Sequence, residues 1–596
     1  MSNVLVHRHA LLATVLATAV AAQIDPALQR KIEVTQPQGR IPVLIVLREQ
    51  LDVAALDARL VAANATRAQR HRIVVEAARE LADRTQAGVL ARLNAMSANA
   101  HVSDIQPFWV TNAIGARATT EAIVQIAALP AVANVLDGDA EMPLIEPVAV
   151  EPAPAVPTAA AEPGLLDIRA DFLWNLGYTG AGRIVSNLDT GVDGTHPALR
   201  TRWRGSRTGV PASAAWHSPT RRSPSPTDAS GHGTHTMGTM CGDDGTNRVG
   251  VAPNAEWIAS DAIAGSNLGQ VRIDAIAGFQ WLADPAGDPR TVSDVPDVSC
   301  NSWGYSPFFH QVPACDAGFW QAIDVAEAAG VVVIFAAGNE GSRGAQSLRT
   351  PADRATTPWN CFSVGALRPG STAIASFSSR GPSGCVGNPI KPEVCAQGES
   401  VRSSIRGGGY GVMSGTSMAA PHVSGAVALL REVDPNLTAD QVKQLLFDTA
   451  DDLGTPGEDN TFGAGRINLE SAYNALRARQ SAVSVSVVTT TGRVARGTDL
   501  VWGIAATNNT QQAQTVVLVV EIEAVGHGMT VPFVGPALVT LPAGFNVEPD
   551  WPTQSLPIPA NLPAFYSTFP FRLHMKAINP SNSQVISSAS TDFVIT

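Results

Sequence analysis

The sequence predicts an α/β domain built on a mostly parallel sheet flanked by helices, preceded by a small α+β unit and followed by an antiparallel β-sandwich. Three observations lead there. In the middle of the chain, short apolar runs such as Val331-Val332-Val333-Ile334-Phe335 alternate with helical spacing, as strands covered on both faces do. From 481 onward the period drops to two: Val483, Val485 and Val487 alternate with Ser484 and Ser486, and Phe571, Leu573 and Met575 with Arg572, His574 and Lys576. Between the first unit and the centre lies 145–163, almost wholly Pro, Ala, Val and Glu. That composition builds no core and reads as an extended, exposed, cleavable linker.

Taken in order, residues 1–22 have the form of an export signal. His7, Arg8 and His9 precede the apolar run 10–22, which contains Ala19-Val20-Ala21. No later stretch has the ~20 apolar residues of a bilayer span. The expected product is a secreted protein, extracellular or periplasmic, with no membrane span. Residues 23–144 alternate strand-like 41–47, helical 67–94, strand-like 101–113, a short helix opened by Thr119-Thr120-Glu121 and running to 129, and strand-like 132–136. Residues 164–479 place strands at 183–188, 257–260, 295–300, 331–337 and 361–366, with helices at 271–283 and 319–329. Thr438-x-x-Gln441 is a capping box ahead of a helix over 439–450. Residues 481–596 offer turns and alternating strands but no polar constellation that proposes chemistry.

Composition narrows the function. The 596 residues leave room for three or four domains, and 45% hydrophobic against 16% charged is too apolar for disorder. Acidic residues outnumber basic ones 52 to 41, a net charge of −11, and no Lys/Arg block stands out, so no nucleic-acid partner is expected. All six cysteines lie between 241 and 395. An even number in an exported chain suggests disulfides, and the lack of a C-x-x-C pair argues against structural zinc. Cys300–Cys315 and Cys385–Cys395 close short local loops and are the expected pairs. Cys241 and Cys361 then pair with each other or stay free.

Three stretches carry nucleophile chemistry. Asp189-Thr190-Gly191-Val192-Asp193-Gly194 ends a strand, Gly231-His232-Gly233-Thr234-His235 opens a helix, and Gly415-Thr416-Ser417-Met418-Ala419-Ala420-Pro421-His422 opens another. A serine hydroxyl is a weak nucleophile at neutral pH. It needs an imidazole to take its proton and a carboxylate to hold that imidazole in the right tautomer. The carboxyl ends of parallel strands are where an α/β sheet gathers such groups.

These stretches resemble the Asp, His and Ser motifs of the subtilisin-like serine proteases, in that family's order and with separations of 43 and 185 residues. The resemblance covers 164–479 firmly and 23–144 loosely, and does not extend to 481–596. It implies a serine endopeptidase acting on protein or peptide substrates through an acyl-enzyme. Ser417 would be the nucleophile, His232 the general base and acid, and Asp189 the orienting carboxylate, while Asp193, His235 and His422 would be structural. Asn339, in Ala336-Ala337-Gly338-Asn339-Glu340-Gly341, resembles the family's oxyanion-hole amide, acting with the backbone N–H of Ser417. Asn301-Ser302-Trp303-Gly304 resembles the stretch that lines the substrate cleft, with Ser302, Trp303 and Gly304 as the binding residues; Trp303 reads equally as core.

No cofactor is expected for the chemistry, and no catalytic metal. Many family members bind calcium just after the His helix. Gly242-Asp243-Asp244-Gly245-Thr246-Asn247 offers oxygen ligands there, although Asp-rich turns are commonly just solvated. The first unit resembles an inhibitory prodomain, making the chain's own N-terminal part its partner as inhibitor and chaperone. A monomer is expected, with linker cutting beside Ala or Leu. Two other readings stand beside this one: a binding protein with a vestigial protease domain, and an enzyme whose β-sandwich directs it to a polymer or surface.

Overall fold

The structure is a computed structural model. It describes residues 23–36, 38–138, 144–153, 161–264, 271–310, 312–479, 481–489, 492–510, 512–527, 529–547, 554–561, 563 and 570–596. The expected export signal lies outside them. Among the described residues no helix is long and apolar enough to cross a membrane.

The centre is a seven-stranded, all-parallel sheet. Across it the strands run Val394–Gln397, Phe362–Leu367, Val332–Ala336, Val298–Asn301, Ile184–Leu188, Glu256–Ser260 and Trp216–His217. The wholly apolar run at 331–336 follows from cover on both faces. Val333 and Phe335 join one core with helices Val271–Ala283 and Trp320–Ala328. Val332, Ile334 and Ala336 join the other with His232–Cys241, Thr416–Val433 and Ala439–Asp448. The last helix has both arms of its capping box, Thr438 with Gln441. Chain order reverses at Ile184–Leu188, which has Glu256–Ser260 on one side and Val298–Asn301 on the other. The crevice beyond the carboxyl ends of such adjacent strands is where open α/β sheets bind ligands.

The first unit carries a five-stranded sheet ordered Gln23–Ile24, Val132–Asp137, Arg40–Leu47, Ala113–Thr119, Val102–Phe108, with the long helix Arg67–Ala98 packed against it. The single strand expected at 101–113 is an antiparallel pair, Val102–Phe108 with Ala113–Thr119. The chain reverses through Asn112, whose φ of 39° lies in the left-handed region that asparagine tolerates. Helices Pro26–Val34 and Val53–Ala62, each N-capped by an aspartate (Asp25, Asp52), were not anticipated.

The C-terminal part is a sandwich. One sheet pairs Val483–Thr489, Asp499–Asn508, Asn546–Val547 and Gln554–Pro557; the other pairs Arg493–Val494, Val585–Ile595, Phe571–Ile578, Gln514–Ala524 and Met529–Leu541. All pairings are antiparallel except that of Arg493–Val494 with Val585–Ile595.

The expected disulfides are corrected. Cys315 bonds Cys385, 70 residues away, while Cys241, Cys300, Cys361 and Cys395 are buried free thiols. The expected local partners of Cys300 and Cys395 are thus bonded to each other, while Cys300 and Cys395 themselves lie buried within sheet strands. Burial pushes the Cys300 and Cys361 thiols up to about 12, which keeps them unreactive.

The head of the linker is extended, but not as a free tether. Leu144 and Ile145 are buried, and Ala149–Pro152 adds an antiparallel strand to Gly409–Ser414, itself paired with Val401–Ile405. Gly407 and Gly408, with φ of 97° and 87°, turn that hairpin in a conformation that L side chains rarely adopt.

Candidate active site

Asp189 follows Leu188 at the end of its strand and is fully buried. His232 is the first residue of its helix, and its Nδ1 lies 2.7 Å from Asp189 Oδ1. Asp189 Oδ1 also accepts the Thr190 N–H at 2.7 Å. Ser417 is the second residue of Thr416–Val433, where backbone N–H groups have no intrahelical carbonyl. Pro421 is four residues on and has no N–H to offer the Ser417 carbonyl. The Ser302 hydroxyl supplies the missing donor at 3.1 Å. Thus one strand end holds the carboxylate, its neighbour braces the serine, and two helix starts carry the imidazole and the hydroxyl.

Residues 180–465 match the Subtilase family. Bacillopeptidase F of Bacillus subtilis (strain 168) is 32% identical over 433 residues, covering 69% of this chain and 29% of that protein. Subtilisin E of the same organism is 33% identical over 369 residues, 61% of this chain and 81% of the relative. Subtilisin of Bacillus pumilus is 34% identical over 311 residues, 52% of this chain and 97% of the relative. The chain belongs to the subtilase family. It is a serine-type endopeptidase with the subtilisin-like α/β fold.

In this subtilase the cleft is filled by the chain itself. Ile145 N donates to Ser302 O at 3.3 Å, and Leu144 bridges the Trp303 backbone in antiparallel register. Ser417 Oγ donates to the Ile145 carbonyl at 3.0 Å. Asn339 Nδ2 donates to the next carbonyl, Glu146 O, at 2.9 Å, while its Oδ1 accepts from Thr416 N and Oγ1. The Ser417 hydroxyl and the Asn339 amide therefore address adjacent carbonyls, one residue apart. His232 Nε2 is buried and makes no hydrogen bond.

Burial alone would lower the His232 pKa, but the Asp189 charge and hydrogen bond outweigh it and the net direction is upward. Its two neighbours go the other way. His235, bonded to Val401 O, is held down to about 3, and His422, bonded to Met418 O, to about 4, both by burial. They are neutral packing residues. Asp193 accepts from Thr195 and from Gly407 N, joining the Asp loop to the hairpin turn. The Trp303 indole is fully buried among Phe279, Phe319 and Phe335, so only its backbone meets the cleft.

Two clusters went unread in the sequence. Asp228 accepts Thr190 Oγ1 at 2.8 Å through one oxygen and Thr234 N at 2.8 Å through the other, tying the Asp loop to the His helix. Its signal was an acid ahead of a helix whose N-cap, Gly231, has no side-chain acceptor. The second is a buried ion pair. Arg349 grips Glu340 through Nε at 3.0 Å and Nη2 at 2.6 Å, and its Nη1 donates to Leu144 O and Gly304 O, both at 3.1 Å. Glu340 Oε2 in turn accepts the Asn339 N–H at 3.0 Å.

In the 242–247 turn every carboxylate oxygen already accepts a donor. Asp243 takes Gly245 N and Arg248; Asp244 takes Thr246 N, Asn247 and Tyr410. So arranged, these residues do not fit a calcium ion. Among the described residues, no three His, Cys, Asp or Glu side chains converge as a metal site.

Proposed function

We propose that this protein is a secreted serine endopeptidase made as a precursor, with Ser417 as nucleophile, His232 as base and acid, Asp189 as orienter and Asn339 as oxyanion donor. The observation that carries the reading is the Ser417 hydroxyl against the Ile145 carbonyl, with the Asn339 amide beside it and the Asp189–His232 pair behind. The Ser417 oxygen attacks the substrate carbonyl carbon as its proton passes to His232 Nε2. Negative charge then collects on the carbonyl oxygen, where Asn339 and the Ser417 N–H receive it. Collapse expels the amine with the His232 proton and leaves an acyl-enzyme, which water hydrolyses by the same route.

The residues before the linker act as a prodomain, a chaperone and inhibitor of their own enzyme. Its tail lies in the cleft as a substrate would, but the one-residue offset between Ser417 and Asn339 makes it a slow one. Cutting at Glu146–Pro147 is disfavoured by the proline, so the Ile145–Glu146 bond, which Ser417 addresses, is the proposed site in place of one beside Ala or Leu. Residues 1–22 direct export. N-terminal sequencing of Ser417→Ala, made in a host lacking other exported proteases, tests self-processing. A retained first unit is expected, and a wild-type N-terminus refutes it. Labelling of wild-type Ser417 by an organophosphonate separates this reading from a vestigial binding protein.

A further inference from the structure

The turn at 63–66 and the opening of helix Arg67–Ala98 that follows it are touched by both other parts of the molecule. On one side Arg67 reaches into the protease domain. Its Nη2 donates to Val295 O at 2.8 Å and Pro296 O at 2.6 Å, and its Nη1 lies 3.1 Å from the buried Asp297 carboxylate. On the other side stands the β domain. Val487 N donates to Ala63 O at 3.2 Å, Asn64 Nδ2 donates to Ser588 O at 2.8 Å, and the buried Ser486 hydroxyl donates to Gln69 Oε1 at 2.6 Å. That same Gln69 oxygen accepts Thr66 N at 2.9 Å, so the β domain shares the capping box that starts helix Arg67–Ala98. Val488, 1% exposed, packs in one apolar core with Val53, Leu56, Leu60 and Ile73 of the first unit. Beside these contacts a cavity of about 440 Å³ opens where the three parts meet, lined by Asn64 and Thr66 of the first unit, Thr438 and Gln441 of the protease domain, and Ser484 and Thr507 of the β domain.

We propose that the C-terminal β domain is a second docking platform for the first unit and holds it on the enzyme after the linker is cut. The inference rests on reading that unit as a prodomain that is severed but not at once released. Two attachments on one partner combine through effective concentration, so freeing the first unit requires both to let go together. The edge Val483–Thr489 supplies backbone, hydroxyl and apolar side chain to one turn, a fitted contact and not a grazing one.

The test reads mass, not catalysis. Ser417→Ala chain carrying a sequence-specific protease site inserted within 154–160 is nicked in vitro. Departure of the first unit is then followed by size exclusion and by dissociation after dilution. Ser486→Ala with Asn64→Gly removes two interface bonds; Gly keeps the left-handed φ of 45° that Asn64 adopts. Release should quicken by about 10- to 100-fold, as expected for two hydrogen bonds. Ser486→Ala alone, which only deletes a hydroxyl, should give a smaller rise and serves if the double variant misfolds. Unchanged release in the folded variants overturns the proposal. Because nothing in the assay depends on inhibition, the prodomain reading can fail in an activity assay while this result stands.

Discussion

Replacing Arg349 by Met separates two jobs done by one guanidinium. The side chain is buried, 8% exposed as a residue, and pairs with Glu340, which is 5% exposed. Removing it strands a carboxylate away from water, which costs about 3–5 kcal/mol of folding stability. Arg349 also donates to the main-chain carbonyl of Leu144, the residue before Ile145 in the cleft. A peptide substrate in the same register loses that charged hydrogen bond, about 1.5–3 kcal/mol, so kcat/KM should fall roughly 10- to 150-fold. The double variant Arg349→Met, Glu340→Gln has no stranded charge. Urea unfolding should show most of the stability restored, while the kcat/KM of a peptide spanning the cleft stays low. Recovery of both quantities together in the double variant would refute the substrate contact; a single variant as stable as wild type would refute the ion-pair argument.

Other outcomes follow from the same geometry. Activity should fall on acidification with an apparent pKa above an ordinary histidine's, because Asp189 raises that of His232, and Asp189→Asn should move the midpoint down. Stability follows a different group of histidines. His217 and His422 are held down to about 4, so their stabilising contribution is present above the unfolded value of 6.5 and is lost as pH falls towards 4. The unfolding free energy from urea titrations should drop across that window, by on the order of 3 kcal/mol per histidine at full titration. Asn339→Ala should lower kcat by roughly 100- to 1,000-fold with little change in KM, the scale set by loss of one oxyanion donor in this same family. Cys385→Ser should cost about 4 kcal/mol in the chain-entropy account of a 70-residue loop, and unreduced peptide mapping should find Cys315 joined to Cys385.

What the sequence disclosed was local. The three motif stretches, the Val331–Phe335 run, the capping box at Thr438 and the period-two strands each carry their signal within a few residues, and each stands where it was expected. What stayed hidden joins distant parts of the chain. Arg349 meets Leu144 across 205 positions, Ser486 meets Gln69 across 417, and Cys315 bypasses nearer cysteines for one 70 away. No periodicity encodes such meetings, because they exist only once the sheet has set the distance between strand ends. Trp303 is an instructive middle case. Its place in the cleft stretch was legible, but which face its ring takes is decided by the three phenylalanines around it.

The proline at 421 has a consequence for how the enzyme breathes. With one rung missing from its first turn, the serine helix borrows a hydroxyl from Ser302, in the stretch that grips the peptide. The two cannot loosen separately. In hydrogen-exchange terms the amides of 301–304 and those opening 416–433 form one opening unit, and a bound peptide that stiffens the former slows exchange in the latter.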